Sequence, residues 1–270
     1  MTAKPKVLVL TGFGLNCDRE TAHAVELAGG EAGRVHINDL VSGAQKLSGY
    51  KMMVFVGGFS WGDDHGAGVL QAARMKSRLN DQLAEFVAGG GLVLGICNGF
   101  QCLVNLGLLP GFDGDYDSRK VALINNDCGN FRDDWVTLSV NEKSPCVFTK
   151  GLSILEMPVR HGEGKFFADE KVMKRIMKEN LAAVFYAGQN GDLANGRFPE
   201  NPNGSLSDIA GICDPTGRIF GLMPHPEAFF HPAQHPLFTR RRETAARTGL
   251  PGNHPPLGTV VFENAMKAMR

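Results

Sequence analysis

A cysteine set between glycines, and a histidine two residues before a glutamate, are the side chains here whose types and spacing could carry out covalent chemistry. Gly95-Ile96-Cys97-Asn98-Gly99 follows the apolar run Leu92-Val93-Leu94 and precedes residues 100–106, which read as a helix. This pattern puts Cys97 on a sharp strand-to-helix turn, the thiol counterpart of a nucleophile elbow, where the glycines remove the Cβ atoms that would collide. Free backbone N–H groups and the positive end of the helix dipole would face the sulfur and favour thiolate over thiol. The turn is expected to push that sulfur out at the edge of the sheet. Cys97 is the candidate nucleophile.

A nucleophile needs a base, and Met223-Pro224-His225-Pro226-Glu227 supplies an imidazole and a carboxylate together. The two prolines forbid helix and bias the chain to an extended path, on which residues i and i+2 project to one side. Glu227 is therefore expected to reach the ring of His225, fix its tautomer and leave the other nitrogen to take and return a proton. Taken singly, such a cysteine is usually a small buried apolar residue and such a histidine a loop residue. Together, in the order Cys97, His225, Glu227, they read as a catalytic triad.

The elements that must position these groups alternate. Residues 6–10, 33–37, 52–56 and 92–96 read as strands, and 18–28 and 67–87 as helices, the latter with Val69, Ala73, Leu79, Leu83 and Phe86 near helical spacing. Alternation of this kind predicts an α/β fold of three layers, a mostly parallel central sheet with helices on both faces, whose sites gather at the carboxyl ends of the strands. Residues 121–159 carry more alternating segments and turns and are expected to add antiparallel strands. A helix at 169–180 and strands at 182–186, 209–213 and 218–223 complete the pattern, the last leading to His225.

The chain has 270 residues, 28 basic and 28 acidic, so its formal net charge is zero and nothing suggests a nucleic-acid footprint or an anionic membrane surface. No apolar run approaches membrane-spanning length and the N-terminal run is too short for a signal peptide, so a cytoplasmic protein is expected. The length fits one domain over residues 1–270, with an extended segment at 228–270. Six cysteines show neither CxxC pairs nor Cys/His ligand spacing, so no metal site and no disulfide framework is expected. Cys17 is a rival thiol near another strand end, but without glycines on both sides it reads as a packing residue. Gly12-Phe13-Gly14 lacks the third glycine of a dinucleotide loop.

These motifs resemble the class I, or triad, glutamine amidotransferases. Gly57-Gly58-Phe59-Ser60-Trp61-Gly62-Asp63, the elbow extended to Gln101, His161-Gly162-Glu163-Gly164-Lys165-Phe166, Asn203-Gly204-Ser205, Ser207-Asp208-Ile209-Ala210-Gly211 and the Pro224-His225-Pro226-Glu227 segment occur in the family's order over most of the chain. The branch they are most similar to is the glutaminase of phosphoribosylformylglycinamidine synthase, an enzyme of purine biosynthesis. The resemblance implies hydrolysis of glutamine, an oxyanion hole at the backbone of Gly58 and Asn98, and substrate holding by Gln101, His161, Gly162 and Glu163. It implies no cofactor in this chain, with ATP and Mg on a separate large synthetase subunit, and a small bridging subunit as a further partner. A glutaminase for a different acceptor, a non-catalytic module and a cysteine hydrolase on the same scaffold remain the alternatives. The histidines, prolines and arginines after Glu227, including Arg240-Arg241-Arg242, suggest a docking surface rather than a metal site.

Overall fold

The computed structural model describes residues 3–249 and 256–270. Its first half alternates as the pattern predicts: β1 (Lys6–Thr11), α1 (Asp18–Leu27), β2 (Glu31–His36), α2 (Ile37–Val41), β3 (Met52–Phe55), α3 (Val69–Ala88), β4 (Leu92–Ile96) and α4 (Asn98–Leu106). The middle adds β5 (Ala122–Asn125), β6 (Arg132–Val140), β7 (Ile154–His161), β8 (Glu163–Phe167), α5 (Glu170–Lys178) and β9 (Ala182–Ala187). The remainder is β10 (Ile209–Cys213), β11 (Ile219–Leu222), α6 (Phe238–Thr248) and α7 (Val260–Ala268).

Among the described residues nine strands form one sheet in the order β2-β1-β3-β4-β11-β10-β9-β6-β7, and β5 pairs with β8 apart from it. From β2 to β11 every pairing is parallel, and from β11 to β7 every pairing is antiparallel. Val7, Leu8, Val9 and Leu10, and all of β3, are fully buried on both sides of the pleat. Continuous burial of this kind requires cover on both faces and explains why these strands read as unbroken apolar runs. Helix α1 packs with α7, and α3 packs with α4.

Two of the boundaries that differ from the sequence reading do so for visible local reasons. β2 starts at Glu31, ahead of the apolar residues, and ends at His36, whose ring accepts the N–H of Asn38 and caps α2. α3 begins after Gly68, which has φ 74° and passes so close to α4 that a Cβ would lie 2.6 Å from the Cys102 nitrogen. The segment after Glu227 is also more integral than an extension. In α7, Val261 and Phe262 are fully buried, and the Asn264 side chain donates to the carbonyls of Phe148 and Lys150. His254 and Pro255, within that segment, lie outside the described residues.

The strand ends converge. β1, β3, β4 and β11 are mutually parallel, so the loops after all four open at one end of the sheet. The alternation of the antiparallel half brings the end of β7 to the same end. Gly57, Cys97, His161 and His225 follow or close these strands.

Candidate active site

Cys97 occupies a backbone conformation that few side chains adopt, φ 51° and ψ −107°, between the last residue of β4 and the first of α4. The flanking glycines make room for it. A Cβ on Gly99 would sit 1.9 Å from the Phe55 carbonyl oxygen, and one on Gly95 would lie 2.6 Å from Leu103 Cδ1 and 2.9 Å from the Gly99 carbonyl carbon. α4 can pack this closely against β3 and β4 only without those carbons, and that closeness forces the turn that presents the thiol.

The expectation of an exposed sulfur is corrected: Cys97 is only 5% exposed. The end of β7 lies over it, and Sγ points to the Arg160 carbonyl oxygen at 3.4 Å. Cys97 lines a cavity of about 130 Å³ with Gly58, Phe59, Asp63, Gln101, Phe131, Arg160, His161, Gly162 and Glu163. The thiol is in a wall rather than on a surface.

His225 follows β11, the strand paired directly with β4, so one lateral step of the sheet brings base and thiol together. Its Nδ1 lies 2.6 Å from Glu227 Oε1, with His225 2% and Glu227 1% exposed. The route to this pairing is not the expected extended chain. Residues Pro226–Ala228 form a single 3-10 turn, and the turn rather than strand alternation folds the carboxylate back on the ring. Burial opposes charging the imidazole, but the electrostatic influence of Glu227 and Cys97 and hydrogen bonding with the thiols of Cys17 and Cys97 outweigh it. His225 is therefore held well above its ordinary value. Its Nε2 has no hydrogen-bond partner of good geometry, and neither has Glu227 Oε2.

Gly58 has φ 135°, and a Cβ there would strike the backbone of the β1 loop, 2.7 Å from the Asn16 nitrogen. Only glycine brings this backbone to the cavity wall. Asn98 opens α4, and the first N–H groups of a helix have no partner within it. Its buried side chain donates to Asp63 Oδ1 at 2.9 Å and to Gln101 Oε1 at 3.3 Å. Gln101 in turn donates to the Glu163 carbonyl, which ties α4 to β8. Asp63 and Glu163 face each other through this network, and burial, reinforced by the charge of Glu163, raises the Asp63 carboxyl to about 6.

His161, 2% exposed, closes β7. Its Nδ1 meets Asn126 Oδ1 at 3.1 Å, and the Asn126 amide is oriented by donating to the carbonyls of Asn130 and His161. Asn126 Oδ1 can only accept, so the imidazole proton sits on Nδ1 and Nε2 is an acceptor, buried and unpartnered. Burial, with the nearby charges of His225 and Arg132, pushes His161 down to about 3.

Gly162 and Glu163 lie in the same wall, and Glu163 Oε2 accepts the Ala67 N–H at 3.2 Å. All nine candidate residues thus fall around one point. Sequence reasoning missed Asp63, Asn126, Phe131 and Arg160, and it set Cys17 aside. Cys17 follows β1, and a Cβ on Gly57 would meet both the Cys17 sulfur, at 3.2 Å, and the His225 ring, at 2.7 Å. Burial raises its thiol, which stays protonated. Its position after a parallel strand was the signal available. Among the described residues, Cys17, His225 and Glu227 form one group of metal-ligating types, with ligand atoms within 4.8 Å of one another. The 2.6 Å His225–Glu227 hydrogen bond already engages two of them.

A cysteine beside a histidine–carboxylate pair, with backbone donors at hand and access to a small cavity, can attack an acyl carbon and return a proton to the departing group. A family model for a CobB/CobQ-like glutamine amidotransferase domain matches residues 4–267. The chain is 49% identical over 246 residues to phosphoribosylformylglycinamidine synthase subunit PurQ of Methanococcus maripaludis, covering 91% of this chain and 90% of that one. Its identity to the subunit of the same name from Dehalococcoides mccartyi is 45% over 268 residues, or 99% of each chain. The structure of PurLQS from Thermotoga maritima matches with a TM-score of 0.70 and 29% identity, covering 99% of this chain and 100% of that one. The chain belongs to the CobB/CobQ-like glutamine amidotransferase family.

Proposed function

We propose that this glutamine amidotransferase is the glutaminase subunit of phosphoribosylformylglycinamidine synthase. It hydrolyses glutamine to glutamate and ammonia, and a separate synthetase subunit uses the ammonia, with ATP and Mg, to amidate formylglycinamide ribonucleotide. Relatives of that name span nine-tenths or more of both chains, which supports this acceptor over another. The reading includes one catalytic domain, a cytoplasmic location and no resident cofactor. Among the described residues no helix is long and apolar enough to cross a membrane.

One observation carries the chemistry: an elbow cysteine at φ 51° on the strand next to the one that ends at a buried His225–Glu227 pair. Cys97 Sγ attacks the carboxamide carbon, and its proton passes to His225. The N–H groups of Gly58 and Asn98 receive the oxyanion. The tetrahedral intermediate collapses, the C–N bond breaks, and His225 returns the proton to the departing ammonia. Water, deprotonated by His225, then attacks the glutamyl thioester and releases glutamate and the thiol. Glu227 holds the ring and favours its charged form.

The test is reconstitution with the cognate synthetase, formylglycinamide ribonucleotide and ATP. Cys97→Ala should remove glutamine-driven amidine formation by at least about 10⁴-fold while ammonium salts still drive it. Loss of both activities contradicts this division of labour, and persistence of glutamine-driven turnover excludes Cys97 as the nucleophile.

A further inference from the structure

Beside the catalytic ring stands a thiol that the proposed reaction does not use. Cys17 is the N-cap residue of α1, where its carbonyl accepts the Thr21 hydroxyl at 2.6 Å and the Thr21 N–H at 3.1 Å. Its own N–H donates to the Gly57 carbonyl at 3.3 Å, so the residue is fixed between the loops after β1 and β3. It is 7% exposed. The Cys17 sulfur and one ligand atom each from His225 and Glu227 lie within 4.8 Å of one another. A Cβ on Gly57 would touch that sulfur at 3.2 Å and the ring at Cε1, 2.7 Å, and Nδ1, 3.4 Å, which puts the thiol at the ring edge that Glu227 also meets. Glu227 Oε2, on a residue 1% exposed, has no hydrogen-bond partner.

We propose that Cys17, His225 and Glu227 form an inhibitory site for a borderline-soft divalent cation of the zinc class. Thiolate, imidazole and carboxylate together are the donor set such an ion takes. Tetrahedral zinc places neighbouring nitrogen, oxygen and sulfur ligands about 3.3–3.5 Å apart, so this set reaches bonding distance with side-chain shifts of about 1 Å. The expectation of no metal site followed from spacing along the chain, which does not register ligands brought together from its opposite ends. Zinc here is a reversible block and not a cofactor. In the proposed reaction Nδ1 faces Glu227 and Nε2 takes the proton of Cys97. A metal on Nδ1 leaves the neutral ring's one proton on Nε2, where it can accept no other, and it engages the carboxylate that favours the charged ring. Cys97 is not a ligand, yet it loses its base. The binding site stands on the geometry alone, and its effect on turnover rests on the glutaminase reading.

The test uses the full chain, stripped of metal by a chelator, as the unaltered protein, Cys97→Ala, Cys17→Ser and Glu227→Gln. Each is titrated with zinc chloride against a colorimetric chelator, and with cobalt(II) as a spectroscopic probe. The unaltered protein and Cys97→Ala should bind one equivalent of zinc and show a thiolate-to-cobalt charge-transfer band. Cys17→Ser should bind zinc at least about 100-fold more weakly and lack the band, and Glu227→Gln should bind about tenfold or more weakly, so the assignment does not hang on one variant. In the complex with the synthetase, one equivalent of zinc should cut glutamine-driven amidine formation by at least about tenfold, leave ammonium-driven formation within about twofold, and be reversed by chelator. Absence of stoichiometric binding, or a band lost in Cys97→Ala and kept in Cys17→Ser, overturns the site. Zinc bound as stated with glutamine turnover unchanged overturns the inhibitory role. Failure of the metal-free complex to hydrolyse glutamine instead sinks the glutaminase reading, a separate outcome.

Discussion

The turn after β11 and the end of β7 each hold a histidine that is 2% exposed, and the two rings are held in opposite states. His225 is kept well above its ordinary value and His161 is pushed down to about 3. Burial works in the same direction on both, so burial cannot be what separates them. The partner decides. His225 has a carboxylate at 2.6 Å, whereas His161 has a neutral amide at 3.1 Å whose oxygen can only accept. The same contrast runs through the sheet. Its parallel half supplies groups able to react, at the ends of β4 and β11, and its antiparallel half supplies a wall that accepts hydrogen bonds and holds no imidazolium.

The strongest way to break this comparison is to remove the reacting ring. His225→Gln should lower kcat for glutamine hydrolysis by roughly 10³- to 10⁴-fold, because in the proposed reaction both proton removal from the thiol and proton delivery to ammonia pass through it. Steady-state ammonia release measures this. A drop under about tenfold would mean that another group, with Cys17 the nearest thiol, moves the proton.

Glycine substitutions test whether the two halves also differ in tolerance. At Gly99 the added carbon would meet the Phe55 carbonyl at 1.9 Å, a backbone atom that cannot swing away. Gly99→Ala should therefore destabilise the fold by about 2–4 kcal/mol and displace the elbow, as read by urea denaturation. At Gly162 a Cβ meets only Phe131, at 3.9 Å. Gly162→Ala should stay within about 0.5 kcal/mol. Similar losses at both sites would remove the distinction between a forced turn and a lining wall.

Legibility followed the same division. The elbow was readable because its constraint is local: two glycines, an apolar run before and a helix after. β1, β3 and β4 were readable because strands buried on both faces have no polar positions to confuse the pattern. The pairing of His225 with Glu227 was found through a wrong premise, since a 3-10 turn delivers what an extended strand was expected to deliver. β8 was not read as a strand, because Glu163–Phe167 pairs only with β5 and interleaves glycine and lysine among its residues. Asn126 carries no signature at all. Its role comes from two carbonyls and one imidazole that meet only in the folded chain. Asp63 sat inside a motif valued for its glycines, and its carboxylate gained meaning only when Glu163 arrived from a point 100 residues further on.

The finest test concerns the neutral ring and needs no substrate. His161 in the folded chain holds its proton only below about 3, against 6.5 for an ordinary histidine, so between these values the unfolded chain binds one proton more. Stability from this group is therefore fully present above about pH 6.5 and is lost as pH falls toward 3. The slope is about 1.4 kcal/mol per pH unit for one proton, or about 2 kcal/mol between pH 6.5 and 5. His161→Gln has no such titration, and its amide can keep an acceptor and a donor in the same place. Urea denaturation at pH 6.5 and pH 5 should show the unaltered protein losing about 2 kcal/mol more than the variant, with His225 contributing equally to both. Equal losses would mean that the ring is charged or solvated in the fold. The wall beside Cys97 would then hold a cation of its own, and the contrast between the two histidines would disappear.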